Sequence, residues 1–172
     1  MSLSRAPGAG LTRSSDLAFT REGLAAAAEK LLAKRSARPD AEAFAGFLEQ
    51  YRADAFVEDF LSLTVEDAAS LAIDLWDFNH ANEALTSRSI RTRRAIGAGG
   101  RPLKLDIAEI AGPDMAFLVD GGPGACQEAR LEIRAVVHPI VPGPRGKRST
   151  IQIHLPALDE AARAHLQKIL EA

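Results

Sequence analysis

The spacing of the apolar residues changes partway along this 172-residue chain. Between residues 20 and 85 they recur every three or four positions, which is the pattern of amphipathic helices packed in a bundle. From Leu103 onward they alternate with polar residues, which is the pattern of strands that bury one face of a sheet. Because the two periods occupy separate stretches, the sequence predicts an α+β fold with an N-terminal helical bundle ahead of a sheet-containing module.

The first part of the chain divides into a lead-in and a helical subdomain. Residues 1–19 are rich in Gly, Ser, Pro and Arg and lack a sustained period, so they are predicted to be disordered. Residues 20–85 are predicted to form the helical subdomain, and Asp40 and Thr64 are placed to cap two of its helices. Asp67 follows Thr64 at the position of the capping-box glutamate, for which it is a shorter substitute.

Residues 103–172 are predicted to fold as a β-α-β-β-α module. Its strands lie around residues 103–110, 131–137 and 151–155, and a Pro- and Gly-rich hairpin loop joins the last two. A ferredoxin-like module needs one more strand, which lies beside the first. We therefore expect the edge of strand 103–110 to be open unless a partner or further sequence covers it. The helix after this strand is expected to break and restart at Pro123, since an interior proline costs about 3 kcal/mol.

Residues 86–102 join the two parts and carry five arginines and no acidic residue. The glycine run 97–100 and the repulsion among the arginines predict a flexible linker or an exposed long loop. The arginines could bind phosphate, but no aromatic residue accompanies them, and residues 20–85 carry 13 acidic and 6 basic side chains. Pairing with that acidic surface, or solvation, is favoured, and no nucleic acid is expected as a partner.

Composition and spacing predict no catalytic, metal or cofactor residues. The four histidines lack metal-ligand spacing, and the glycine run 97–100 precedes a strand, unlike a dinucleotide-binding loop. Cys126 is the single cysteine, which excludes an internal disulfide and favours the reducing cytoplasm. No signal-peptide pattern or apolar run near the roughly 20 residues of a membrane span occurs, so no membrane is expected as a partner. The net charge of −2 gives no overall attraction to nucleic acid or to a membrane.

The turn after strand 103–110 is the candidate ligand site, formed by Gly112, Pro113, Asp114 and Met115. Amides at the start of a helix can receive a carboxylate, and glycine allows a ligand to approach closely. The alternative is structural, in that Asp114 caps the helix while the apolar residues after it fill the core. The residue pattern alone favours this alternative.

Two motifs in the module resemble a known family. The run Asp114–Asp120 (Asp-Met-Ala-Phe-Leu-Val-Asp) and the sequence His-Pro-Ile-Val at 138–141 resemble the N-terminal region of the large bacterial NAD-specific glutamate dehydrogenases. Ala116 stands where that family has proline. The resemblance extends to the segments 47–51, 65–76 and 150–154, so it covers most of the chain. The departure is Gly121–Gly124, where the family carries an ordinary helix.

The resemblance implies that the chain is an ACT-like regulatory segment of a much longer enzyme. That enzyme would oxidise L-glutamate to 2-oxoglutarate and ammonia with NAD, and its catalytic residues would lie in another domain. No cofactor is then expected in this segment, and its partners would be the rest of the enzyme, sister subunits and an amino-acid effector. The effector site would be the turn Gly112, Pro113, Asp114 and Met115. The alternative function is a free-standing ACT-like amino-acid sensor.

Overall fold

The computed structural model describes residues 20–54, 63–114 and 118–172. The predicted lead-in, residues 1–19, and the candidate ligand residue Met115 lie outside the described residues. The described helices and strands follow in chain order: α1 (Arg21–Leu32), α2 (Ala41–Asp54), α3 (Val65–Asn82), β1 (Ser89–Ile96), β2 (Pro102–Pro113), α4 (Leu118–Glu128), β3 (Ala135–Val137), β4 (Ile140–Gly143), β5 (Gly146–Pro156) and α5 (Glu160–Glu171). A mixed helix and sheet architecture with helices ahead of the module confirms the predicted α+β class.

Side-chain caps start the helices where the sequence places them. Asp40 accepts a hydrogen bond from the Ala43 amide at 2.8 Å, and Thr64 accepts one from the Asp67 amide at 3.1 Å, which confirms both predicted caps. Asp67 has a further role beside its place in the first turn of α3. Its carboxylate accepts hydrogen bonds from the Ala98 amide and the Arg101 guanidinium, so it ties the start of α3 to the connection between β1 and β2.

The prediction of a linker at 86–102 is wrong, because residues Ser89–Ile96 form the strand β1. This strand pairs antiparallel with β2 along the edge that was expected to be open, so that expectation is wrong as well. β1 occupies the place that the last strand has in a ferredoxin-like module, but it precedes the module in sequence. The repulsion assumed among its arginines is offset, because they pair with the carboxylates of Glu109 and Asp106 on β2.

The described strands form one antiparallel sheet in the order β1-β2-β5-β3, with β4 also paired to β5. The predicted hairpin is confirmed but tighter than expected, since Gly143 pairs with Gly146 and only Pro144 and Arg145 lie between them. The second predicted strand, 131–137, is regular only over Ala135–Val137. The long strands β2 and β5 are neighbours and form the centre of the sheet.

Helix α4 runs through Pro123 without the predicted break. The glycines in front of the proline serve its packing. A Cβ at Gly122 would lie 2.8 Å from the Ile153 Cδ1 atom and 3.2 Å from the Ile110 Cδ1 atom, so the missing side chain lets α4 approach the sheet. Contact with β2 and β5 therefore holds the helix together despite the proline.

Helices cover both faces of the sheet. We call the face packed by α4 and α5 the α5 face, and its buried residues are the aliphatic Ala108, Ile110, Ile151, Ile153 and Leu155. We call the opposite face the α3 face, because α3 and α2 lie on it. Leu71 of α3 packs there against Leu105 and Ile107 of β2. The helices at 20–85 are thus one outer layer of the sheet as well as a bundle of their own.

Aromatic residues join the helices α2 and α3 to one another. Trp76 of α3 meets Phe44 and Phe47 of α2 edge to face, with ring centroids 5.2 Å apart in each pair. Phe47 is also 6.1 Å from the ring of Tyr51. Such pairs add to the free energy gained by burial, and they hold α2 against α3.

Candidate functional site

The predicted ligand turn lies at the end of β2, held by the beginning of β5. The Asp114 amide donates a hydrogen bond to the Lys147 carbonyl at 2.9 Å, and the Ser149 hydroxyl donates one to Asp114 Oδ1 at 2.6 Å. The carboxylate of Asp114 is exposed apart from this bond. The amides that Asp114 would cap belong to residues 115–117, which lie outside the described residues. The structure thus gives Asp114 a role in fixing the turn to β5.

The glycine of this turn is needed for contact with the chain itself. A Cβ at Gly112 would lie 3.0 Å from the Arg88 Cα atom and 3.1 Å from its Cβ atom, just before β1 begins. Gly112 therefore lets the backbone just before β1 approach β2 closely, which leaves less room there for a ligand. Pro113 beside it pairs in register with Arg148 of β5.

A row of polar side chains crosses the middle of the sheet on the α3 face. Arg91, Glu109 and Gln152 are direct neighbours on β1, β2 and β5. Glu109 has no solvent exposure, and its Oε1 atom accepts hydrogen bonds from Arg91 Nη2 and Arg93 Nε, each at 3.0 Å. Arg93 also donates to Asp74 Oδ2 of α3 at 3.0 Å. The row thus connects three strands to the helix above them.

Gln152 joins this row to both helices. Its Nε2 atom donates to the Leu71 carbonyl of α3 at 3.0 Å, and its Oε1 atom accepts from the Tyr51 hydroxyl of α2 at 2.5 Å. His154 Nε2 lies 2.8 Å from the same Oε1 atom, and it must carry the proton because that oxygen can only accept. We call Arg91, Arg93, Glu109, Gln152 and His154 the polar row.

Burial sets the protonation of these groups. It lowers the pKa of His154 to about 4, so the imidazole is neutral at pH 7 and donates a single hydrogen bond to Gln152. Burial also raises the pKa of Tyr51 well above its ordinary value, which keeps its hydroxyl a donor. The pKa values of Glu109 and Asp74 are raised by burial as well, against the opposing effect of Arg93.

The polar row can hold the helices on the sheet, but its central carboxylate cannot reach a substrate. Its central carboxylate is fully covered, and only displacement of α3 would expose it. Charge is balanced, with two arginines facing Glu109 and Asp74. Among residues 20–54, 63–114 and 118–172, no cluster of His, Cys, Asp and Glu with the geometry of a metal site occurs. The arrangement is that of a joint between layers.

The sequence predicted part of this joint. It favoured pairing of the arginines with the acidic helices, and Arg93 does pair with Asp74 of α3. It missed Glu109, which lies in an alternating strand where a charged residue looked solvent-facing. The available signal was the β-branched residues at 90, 92 and 96, which alternate with arginines as strand residues do. Cys126 is buried in the core of the α5 face, and His80 stacks on Trp76 with ring centroids 4.2 Å apart.

Comparison with known proteins gives one finding. Residues 47–170 match the model of a family described as glutamate dehydrogenase, ACT1 domain. The match starts within α2 and ends within α5, so it includes the whole sheet and helices on both of its faces. No curated protein and no solved structure matches the chain. In the part of the chain that the structure describes, every helix is too short or too polar to cross a membrane.

Proposed function

We propose that this chain, which belongs to the family of the glutamate dehydrogenase ACT1 domain, is the non-catalytic N-terminal regulatory and assembly segment of an NAD-dependent glutamate dehydrogenase. The parent enzyme converts L-glutamate to 2-oxoglutarate and ammonia with NAD in the cytoplasm. The segment itself holds no cofactor. Its partners are the rest of the enzyme, sister subunits and an amino-acid effector.

The observation that carries the proposal is the extent of the family match. It takes in α3 and the sheet together, and the polar row joins these two layers by hydrogen bonds and ion pairs. A segment built in this way transmits a displacement of one layer to the other, which suits regulation of a neighbouring domain. The resemblance of Asp114–Asp120 and residues 138–141 to the NAD-specific enzymes supports the choice of NAD.

The catalytic part of the proposal is tested with the purified chain. We expect no formation of NADH from L-glutamate and NAD above the protein-free rate, measured by absorbance. Turnover that scales with the concentration of the chain would overturn the proposal, provided that a mass-spectrometric control shows no copurified dehydrogenase.

The regulatory and assembly part is tested in the parent enzyme. We expect removal of residues 1–172 to change the mass of the oligomer by light scattering, or the response of the rate to amino acids, while the remaining enzyme still reduces NAD. A truncated enzyme with unchanged mass and unchanged response would contradict it.

The alternative is a free-standing ACT-like amino-acid sensor, for which Gly112, Pro113, Asp114 and Met115 remain the predicted effector site. The observation in its favour is that Pro113 borders a cavity at the surface. A reading frame that continues past Ala172 into a dehydrogenase would decide against this alternative.

A further inference from the structure

A small cavity lies between the end of α3 and the β4–β5 hairpin. We propose, resting on the effector role given above, that it binds a small carboxylate with an apolar body.

 The cavity at the end of α3 measures about 230 Å³. That is below the roughly 300–1,000 Å³ of sites for drug-sized molecules, so its size suits a small metabolite.

Three cations border this cavity, namely Arg145, Lys147 and Arg148. Arg145 and Lys147 are exposed at the tip of the hairpin, whereas Arg148 is only 4% exposed. Within the described residues, none of the three forms an ion pair with a carboxylate at 4 Å or less. Glu83 is the one acidic residue that borders the cavity in that part of the chain. The cavity therefore carries an excess of positive charge.

The buried cation is held by neutral acceptors alone. Arg148 Nε donates to Asn79 Oδ1 at 2.9 Å, and its other nitrogens lie 3.4 Å from the carbonyls of Leu85 and Asn82. These carbonyls lie at the end of α3, where the helix dipole favours a cation. Burial lowers the pKa of Arg148 against the opposing effect of Glu83, although an arginine stays charged at neutral pH. A carboxylate in the cavity would supply the missing negative charge.

The remaining wall is apolar. It includes Leu85, Pro113 and Pro144, and Leu85 is 49% exposed, which is unusual for a large aliphatic side chain of this protein. An aliphatic body placed against this wall would remove apolar surface from water. Cations on one side and aliphatic carbon on the other define the ligand class.

The cavity between α1 and α2 makes a useful contrast. Its arginines Arg21, Arg38 and Arg52 each pair with Glu49 or Glu29, so each of its cations already has a carboxylate partner. An added carboxylate would have to compete with these pairs. The cations without a carboxylate partner are what sets the cavity at the end of α3 apart.

Three probes that share one branched aliphatic chain test the proposal on the whole chain. They are 4-methylpentanoate, L-leucine and 3-methylbutylamine, which has the amino group but no carboxylate. We expect saturable shifts of the hairpin amides in NMR titrations with 4-methylpentanoate or L-leucine, and none with the amine. The stronger of the two carboxylates identifies a plain acid or an amino acid as the source. Equal binding of the amine, or no saturable binding of either carboxylate, would overturn the proposal.

A matched pair of variants locates the site. Lys147→Gln removes a cation of the cavity, and Lys168→Gln removes an exposed cation on α5 with the same change of net charge. We expect the first to weaken carboxylate binding about fivefold, the upper end for a partly exposed ion pair, and the second to leave it unchanged. Equal effects of the two variants would show that only net charge matters and would overturn the site. Both positions are exposed, so the fold should persist in each variant.

Discussion

The two faces of the sheet are buried to a similar degree by different kinds of contact. The α5 face meets its helices through aliphatic side chains such as Ile110, Ile151 and Ile153. Its charged contact, Asp106 with Arg94 and Arg163, involves two half-buried arginines. The α3 face places Glu109 and Gln152 in the centre of the interface. The α5 face is held mainly by the burial of apolar area. The α3 face is held by polar side chains with specific partners.

This difference in contacts determines which helix layer has a unique position on the sheet. Aliphatic contacts tolerate small shifts of a helix, because the hydrophobic effect is non-directional. A buried hydrogen bond does not tolerate them, since an unpaired polar group in the interior costs about 1–3 kcal/mol. The position of α3 is therefore specified by the polar row, and that layer should also be the more sensitive to single substitutions.

The largest effect is expected from loss of the central charge. Glu109→Gln keeps the shape of the side chain but leaves Arg91 and Arg93 facing a neutral group. We expect the free energy of unfolding to fall by about 3 kcal/mol, the lower end for breaking a buried ion pair, because Arg91 can regain some water. Ile110→Val on the α5 face is the matched control and should cost about 1 kcal/mol. Urea denaturation measures both, and equal losses would remove the contrast between the faces.

A smaller effect is expected from pH. His154 has a pKa of about 4 in the fold and about 6.5 when unfolded, so the unfolded chain binds more protons between these values. Stability should therefore fall as pH falls, by about 2 kcal/mol from this residue between pH 7 and pH 5. The raised pKa values of Glu109 and Asp74 act in the opposite direction.

Two variants separate the effect of the histidine on the pH dependence of stability from the effect of these carboxylates. In His154→Gln, the difference in unfolding free energy between pH 7 and pH 5 should shrink, whereas His165→Gln, at an exposed position on α5, should leave it unchanged. Denaturation at the two pH values provides the measurement. An unchanged difference in His154→Gln would show that the imidazole is not held neutral by burial.

The smallest effect is expected from replacing a glycine on each side of the sheet. A Cβ at Gly97 would lie 2.3 Å from Asp67 Oδ1, a carboxylate that is already fixed by the Ala98 amide. We expect Gly97→Ala to cost about 1.5 kcal/mol. Gly122→Ala should cost less, because the tip of Ile153 can turn away and alanine is the better helix former. Thermal unfolding ranks the two variants, and the reverse order would contradict the assignment of the α3 side as the less adaptable one.

Local signals predicted the fold well where one side chain decides the outcome. Asp40 and Thr64 cap their helices as expected, because a cap depends on an amide three residues away. The alternation of Leu105 and Ile107 with polar residues predicted β2, because this signal is also local in sequence. Strand β1 was missed because its arginines looked solvated, and only the positions of Glu109 and Asp106 in three dimensions show that they are paired. The spacing of neighbouring residues does not reveal partners that are distant in sequence.

The candidate turn shows the same limit. A glycine before a helix predicted room for a ligand, but the atoms that approach Gly112 belong to Arg88, which is distant in sequence. The hairpin loop was predicted from its prolines and glycines, and it also carries the cations Arg145 and Lys147. Their place beside the end of α3 depends on how the helix lies on the sheet, which no periodicity reveals.

The position of β1 beside β2 has a consequence for how the chain folds. In a module whose final strand joins the first, that pairing must wait until the end of the module has been synthesised. Here residues 97–101 alone connect the two strands, so the pair is local in sequence. Local pairing lowers contact order and speeds folding. We expect this hairpin to form on the ribosome before β5 emerges, which protects the edge of β2 from other chains during synthesis.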